Sequence, residues 1–273
     1  MHLVKKSVLN ILQKNGYELF DKKSHNSDIH ELLKVREKSV QYIKELINVY
    51  NKVIFQSDYI PQDDTNLSLF SNLLGTDIVE AIYILHYLNK TKRLEGDICE
   101  FGVAQGRTSV LLANSILDVN KKLWLYDSFE GLPKPTEEDI LKDDIFGLGS
   151  MEAYEGKMSC PEDMVLQQMK SYSIPHNKFN IIKGFVENTL SNNSPELVCF
   201  AYVDFDFYQP IRTTLDHLDK ILVKGGVVIV DDYDFFSEGA KKAVEEFMKT
   251  QEGNYNLTLP ISQNSHFCIL EKV

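Results

Sequence analysis

Residues 225–233 read Gly-Gly-Val-Val-Ile-Val-Asp-Asp-Tyr. The run from Val227 to Val230 is apolar without alternation, as expected of a strand covered on both faces, and such strands belong to parallel sheets sandwiched between helices. The run ends abruptly in two carboxylates, Asp231 and Asp232. In an open α/β sheet ligands bind just beyond the carboxyl ends of the strands, so the polar ending bears on function as well as fold.

Upstream the pattern repeats. β-rich runs cover Asp97–Val103, Lys122–Asp127, Phe179–Lys183 and Val198–Asp206, with helix-like stretches between them at Thr108–Leu117, Pro161–Ser171 and Ile211–Leu222. Strands alternating with helices of this length form βαβ units. An amphipathic stretch, Ser237–Lys249, follows Asp232, and two strand candidates, Tyr255–Leu259 and His266–Lys272, should make an antiparallel hairpin at the sheet edge. The expected fold is α/β, a doubly wound, mostly parallel, Rossmann-like seven-stranded sheet.

The N-terminal part reads as helix. Val4, Val8, Ile11 and Leu12 fall at helical spacing before Gly16, and Leu32, Leu33, Val40, Ile43, Ile47 and Tyr50 form one stripe within Asp28–Val53. Asp28 and Glu31 resemble a capping box. Gln56–Asn66 reads as a loop, and Thr76 opens a further helix whose apolar side carries Ile78, Val79, Ile82, Leu85 and Leu88. This predicts a helical extension over 1–75 and the main domain over 76–273, with the extension available to pair subunits in a homo-oligomer. The loop Gly131–Ser159 is long for a compact domain, so it is either disordered or a lid.

The chain has 273 residues, with 29 Lys and Arg against 40 Asp and Glu, a net charge of −11. That field opposes nucleic-acid binding. Residues 1–60 carry 10 basic and 7 acidic groups (+3) and the rest 19 and 33 (−14), an asymmetry expected of a solvated helical face. No apolar run approaches the roughly 18 residues of a membrane span. The N-terminus lacks the continuous apolar block of a secretory signal. Cys99, Cys160, Cys199 and Cys268 form no CxxC pair and read as free thiols in a reducing cytoplasm.

The strand ends hold the candidate chemistry. The first ends Glu100-Phe101-Gly102-Val103-Ala104-Gln105-Gly106-Arg107-Thr108. Glycines at such a turn let a ligand approach the backbone, and the following helix N-terminus favours anionic groups. The spacing is GxxxG, whereas the pyrophosphate turn of dinucleotide enzymes is GxGxxG, so a nicotinamide-dependent oxidoreductase is the weaker alternative. The second ends Tyr126-Asp127-Ser128-Phe129, with Asp127 placed 21 residues after Gly106 (127 − 106) to accept from ribose hydroxyls. The third ends at Gly184-Phe185, where an adenine ring could stack. The fourth and fifth end in Asp204-Phe205-Asp206 and Asp231-Asp232. Carboxylates brought together this way repel unless a hard cation such as Mg²⁺ neutralises them, and no His or Cys cluster suggests zinc. His217 and His266 are read as structural.

The segments GDICEFGVAQGRTS, LYDSFEGLPKP, KGFVENTL, YVDFDFYQP and GGVVIVDDY occur in this order between about Thr76 and Val244. Together they resemble the macrocin O-methyltransferase family, bacterial metal-dependent enzymes that methylate sugar hydroxyls. The resemblance implies a sheet of the class I methyltransferase type and S-adenosyl-L-methionine as cofactor. It would be held by Glu100, Gly102, Gly106, Arg107, Thr108 and Ser109, by Asp127, Ser128 and Phe129, and by Gly184 and Phe185. It further implies Mg²⁺ on Asp204, Asp231 and Asp232, with Asp204 as general base and a sugar or other vicinal diol as acceptor. The remaining alternative is a non-catalytic cofactor-binding assembly protein.

Overall fold

The computed structural model describes residues 22–262 and 265–273, so the helix expected over 4–16 lies outside the described residues. The chain divides into two compact units, Met1–Leu46 and Ile47–Val273. Helix α1 spans Lys22–Val49, so Asp28 sits within the helix instead of capping it. Of the predicted stripe, Ile43, Ile47 and Tyr50 are buried, while Val35 and Tyr42 elsewhere on the helix are exposed. A π-helical turn, Tyr50–Ile54, follows. It leads to Phe55, whose ring stacks on His86 at a centroid distance of 3.7 Å, so the stretch after residue 47 packs within the second unit.

In the second unit, helices α2 (Asp64–Phe70) and α3 (Ile78–Thr91) precede the sheet. The actual cap of α3 is Asp77, whose Oδ1 accepts from the Glu80 N–H at 2.9 Å. The chain then runs β1 (Asp97–Phe101), α4 (Arg107–Ser115), β2 (Leu123–Asp127), α5 (Glu162–Ser171), β3 (Phe179–Lys183), α6 (Val186–Thr189) and β4 (Val198–Val203). It finishes with α7 (Tyr208–Ile221), β5 (Leu222–Val230), α8 (Glu238–Thr250), β6 (Tyr255–Thr258) and β7 (Cys268–Lys272). The strands lie in the order β3-β2-β1-β4-β5-β7-β6. β1 to β5 are mutually parallel, and β7 is antiparallel to both neighbours. The expected hairpin is present, and its second strand is the inner one, leaving β6 at the edge.

β5 starts earlier than the apolar run predicts. Opposite Val198 and Phe200 the register of β5 jumps from Leu222 to Val227, a bulge that Gly225 accommodates at φ +75°. All six residues of β4 are buried. One face of the sheet, with Phe101, Ala201, Val203, Val228 and Val230, packs on Ile211, Leu215, Ala243 and Phe247 of α7 and α8.

The long loop is ordered, so the disordered alternative that its length left open does not hold. Leu132, Met151 and Tyr154 form a small second core with Phe207 and Phe236, and Leu141 bridges to Ser237. Asp139, 4% exposed, fastens it. Its Oδ1 accepts from the Tyr208 N–H (2.7 Å) and the Ser237 hydroxyl (3.3 Å), and its Oδ2 from the N–H (2.7 Å) and hydroxyl (2.8 Å) of Thr136. Asp139 therefore joins the loop to the starts of α7 and α8. Asp139→Ala strands several buried donors, each bonded to a charged acceptor, and should destabilise the protein by about 3 kcal/mol in urea unfolding. A change below about 1 kcal/mol would show that these donors find water instead.

Candidate active site

Four backbone hydrogen bonds carry the ladder one residue past the strands. Gly184 N donates to Asp127 O (2.9 Å), Gly102 N to Tyr126 O (2.9 Å), Asp204 N to Phe101 O (2.7 Å) and Asp231 N to Val203 O (2.8 Å). The first residues beyond β3, β1, β4 and β5 thus stand in one row at the carboxyl edge. A cavity of about 330 Å³ opens there.

The β1 side of the cavity is shaped for a close-fitting ligand. Gly102 takes φ +87°, and a Cβ on it would lie 1.8 Å from the carbonyl oxygen of Asp204, so only glycine fits. Asp127 clamps the turn to β2: Oδ2 accepts from the N–H groups of Val103 (2.8 Å) and Ala104 (2.9 Å), and Oδ1 from Phe129 N–H (2.6 Å). Its carboxylate is thus partly engaged by backbone, and it lines the cavity. Glu100, 1% exposed, leaves Oε2 without a partner behind the turn. Burial drives its carboxyl up to about 8, the Ser109 hydroxyl opposing and Asp127 adding to the shift. An unpaired buried acceptor beside a glycine cradle fits a ligand carrying an amino group, directly or through water.

On the β4 and β5 side, carboxylate oxygens of Asp204, Asp206 and Asp232 all lie within 4.8 Å of one another. Oxygens bound to one hard cation at ~2.0–2.6 Å are separated by no more than about 5 Å, so this spacing suits such a cation. Asp206 and Asp232 adopt left-handed φ of +60° and +54°, and both line the cavity. All three are half-buried. Burial raises their carboxyls above the usual range. The charge of Asp231 adds at Asp204, that of Asp204 adds at Asp206, which reaches about 7, and that of Asp206 adds at Asp232. Asp231 also lines the cavity, but its Oδ1 accepts from Asp232 N–H (2.8 Å) and its Oδ2 from the Tyr202 hydroxyl (3.0 Å).

Of the residues anticipated from sequence, Gly102, Asp127, Ser128, Gly184 and Phe185 line the cavity on one side and Asp204, Asp231 and Asp232 on the other. Glu100, Gly106, Arg107, Thr108, Ser109 and Phe129 stand behind this lining. Gly106 is the left-handed N-cap of α4. Arg107 reaches Gln168 (3.1 Å), and Thr108 pairs with Thr76 (2.6 Å). Phe129 lies beneath the Lys183 ammonium. His217 bonds Ser194 (2.8 Å) and His266 stacks on Phe235, both structural contacts. Sequence reading named Asp206 among the converging carboxylates but left it out of the ligand set, and it missed Glu80 and the loop residues Leu132, Ile145 and Met158. Spacing two after Asp204 hints at the first, while no local signal marks the others.

The strand order and the single antiparallel strand define a class I, Rossmann-like methyltransferase fold. The O-methyltransferase NovP superposes with a TM-score of 0.62 at 21% identity, covering 86% of this chain and 99% of that one. The model of the macrocin O-methyltransferase (TylF) family matches residues 74–269. The chain belongs to that family. The 8-demethyl-8-(2,3-dimethoxy-α-L-rhamnosyl)-tetracenomycin-C 4'-O-methyltransferase of Streptomyces olivaceus is 26% identical over 62% of each chain. Demethyldecarbamoylnovobiocin O-methyltransferase of Streptomyces niveus is 27% identical over 56% of this chain and 58% of its own. The matched stretch thus spans about three fifths of these relatives' length.

The raised Glu100 carboxyl makes a signed prediction. Between the ordinary carboxylate range and about 8, the folded state holds a proton that the unfolded chain has released, so stability falls as pH rises through that window. Glu100→Gln should flatten this decline between about pH 5 and 8 in urea titrations. An unchanged slope would place the burden on other groups.

Proposed function

We infer that this protein is an O-methyltransferase that moves the methyl group of S-adenosyl-L-methionine to a hydroxyl of a sugar or glycosylated metabolite, with Mg²⁺ in its acidic cluster. The observation that carries this reading is one cavity with two unlike walls, a glycine-turn cradle and a set of converging carboxylates. The relatives act on glycosides by name, and the family assignment supports methyl transfer. The methyltransferase domain would be 76–273, with 47–75 belonging to the same compact unit and the helical segment before them as an extension that pairs subunits. Among the described residues no helix is long and apolar enough to cross a membrane, and the acidic chain suits a small-molecule acceptor in the cytoplasm and not nucleic acid.

Each residue has a task in this scheme. Gly102 and the backbone at Ala104 would hold the cofactor's methionine part, Asp127 would accept from its ribose, and Phe185 would stand at the adenine side. Asp204, Asp231 and Asp232 would hold the cation, and Asp206 would join them, its oxygen lying within 4.8 Å of those of Asp204 and Asp232, while Asp231 stands outside that group. A bound divalent ion supplies positive charge that keeps these carboxyls ionised and acidifies a neighbouring hydroxyl. Asp204 takes the hydroxyl proton as general base. Holding acceptor oxygen and methyl group in line lowers the entropic part of the barrier. Leu132, Pro133, Ile145 and Met158 wall the cavity and keep water from the transfer.

Calorimetry with S-adenosylmethionine should show binding, and turnover of a diol glycoside should require Mg²⁺. No binding at ~1 mM cofactor would end the proposal. Asp204→Asn should lower kcat by about 10²–10⁴ while cofactor affinity stays as in the parent. An unchanged rate would remove Asp204 as the base.

A further inference from the structure

Glu80 lies in the first turn of α3 and is 3% exposed. With Asp77 as cap, a glutamate three residues on would ordinarily turn back to the cap's own N–H. Here its Oε1 lies 3.1 Å from the Tyr202 hydroxyl instead. That hydroxyl is also 3.0 Å from Asp231 Oδ2 and 3.3 Å from Asp204 Oδ2. Tyr202 is buried on β4, in register with Glu100 on one side and Ile229 on the other, so it occupies the face that bears Asp204. One side chain therefore touches both acid-bearing strand ends and is held from behind by a helix.

We propose that Glu80 and Tyr202 are positioning residues that fix Asp231 and Asp204 relative to each other and thereby set the affinity of the cation site. The proposal rests on the cation site inferred above. A hydroxyl has one proton, so Tyr202 donates to one carboxylate at a time. Asp231 is the shortest partner, and its Oδ1 is already engaged by Asp232 N–H, which fixes the carboxylate plane at both oxygens. Glu80 fills the far side of the hydroxyl and limits its rotation about the ring. Partners of this kind orient ligating carboxylates without touching the ion.

Mn²⁺, titrated into the full-length protein and followed by electron paramagnetic resonance, reads the site without turnover. Tyr202→Phe keeps the ring and loses the link; Glu80→Gln keeps the shape and replaces the carboxyl with an amide. Both should weaken Mn²⁺ binding about 10- to 100-fold, with S-adenosylmethionine affinity by calorimetry unchanged. Should Glu80→Gln fail to fold, Tyr202→Phe alone reads the same link. Mn²⁺ affinity within a factor of about two of the parent in folded variants would overturn the positioning role. Equal loss of Mn²⁺ and cofactor affinity would also overturn it, by showing general disruption. A parent protein that binds no Mn²⁺ would instead sink the cation site itself, and this proposal with it.

Discussion

The site depends on backbone register. Each strand end delivers its first non-strand residue to the cavity through a hydrogen bond to the neighbouring strand: Gly184 to β2, Gly102 to β2, Asp204 to β1 and Asp231 to β4. Side chains alternate faces along a strand, so a slip by one residue would turn Asp204 away and bring Phe205 or Val203 in its place. The buried apolar runs of β4 and β5 resist such a slip, because a one-residue shift would draw a charged end residue such as Asp204 or Asp231 into the core. The same residues that make the core therefore fix the chemistry. Gly102 shows how tight the tolerance is, since its turn abuts the Asp204 carbonyl without room for a methyl group.

That delivery concentrates negative charge. Asp204, Asp206, Asp231 and Asp232 share one wall of a small cavity, and Glu80 stands behind them. Burial and mutual repulsion push their carboxyls upward, so the folded chain alone does not favour the fully ionised set. The cavity is open to solvent, which screens part of this repulsion. What remains is an arrangement that a hard cation would relieve and that hydrophobic packing elsewhere sustains.

The sheet was legible because its signals are local. Val227–Val230 and Val198–Val203 are apolar runs, and Gly102, Asp127, Asp204, Asp231 and Asp232 are polar or glycine residues placed at their ends. The bulge before Val227 hid one boundary, since the apolar run begins at Val227 while the strand begins at Leu222. Glu80 was invisible for the opposite reason. It lies 122 residues from Tyr202 in sequence, and its local setting, three after Asp77, is that of an ordinary exposed cap residue. Asp206 lines the cavity on a left-handed backbone that its identity permits but does not announce. The order of the loop likewise depends on contacts made by Asp139 to residues about seventy and a hundred positions away, at Tyr208 and Ser237.

Those contacts tie the loop to the acidic wall. Following Asp206, Phe207 enters the small loop core and Tyr208 donates its N–H to Asp139. Following Asp232, Phe236 enters the same core and Ser237 donates its hydroxyl to the same carboxylate. Both acid-bearing turns are thus clamped on their far sides by one ordered excursion, just as Tyr202 holds Asp204 and Asp231 on the near side. Gly239 shows how closely the clamp fits, because a Cβ there would meet Asp139 Oδ1 at 2.0 Å. The loop also supplies Leu132, Ile145 and Met158 to the cavity. A movement of the loop that opens the cavity would therefore pull on the turns that carry the carboxylates, so access to the site and the geometry of its acids are mechanically linked.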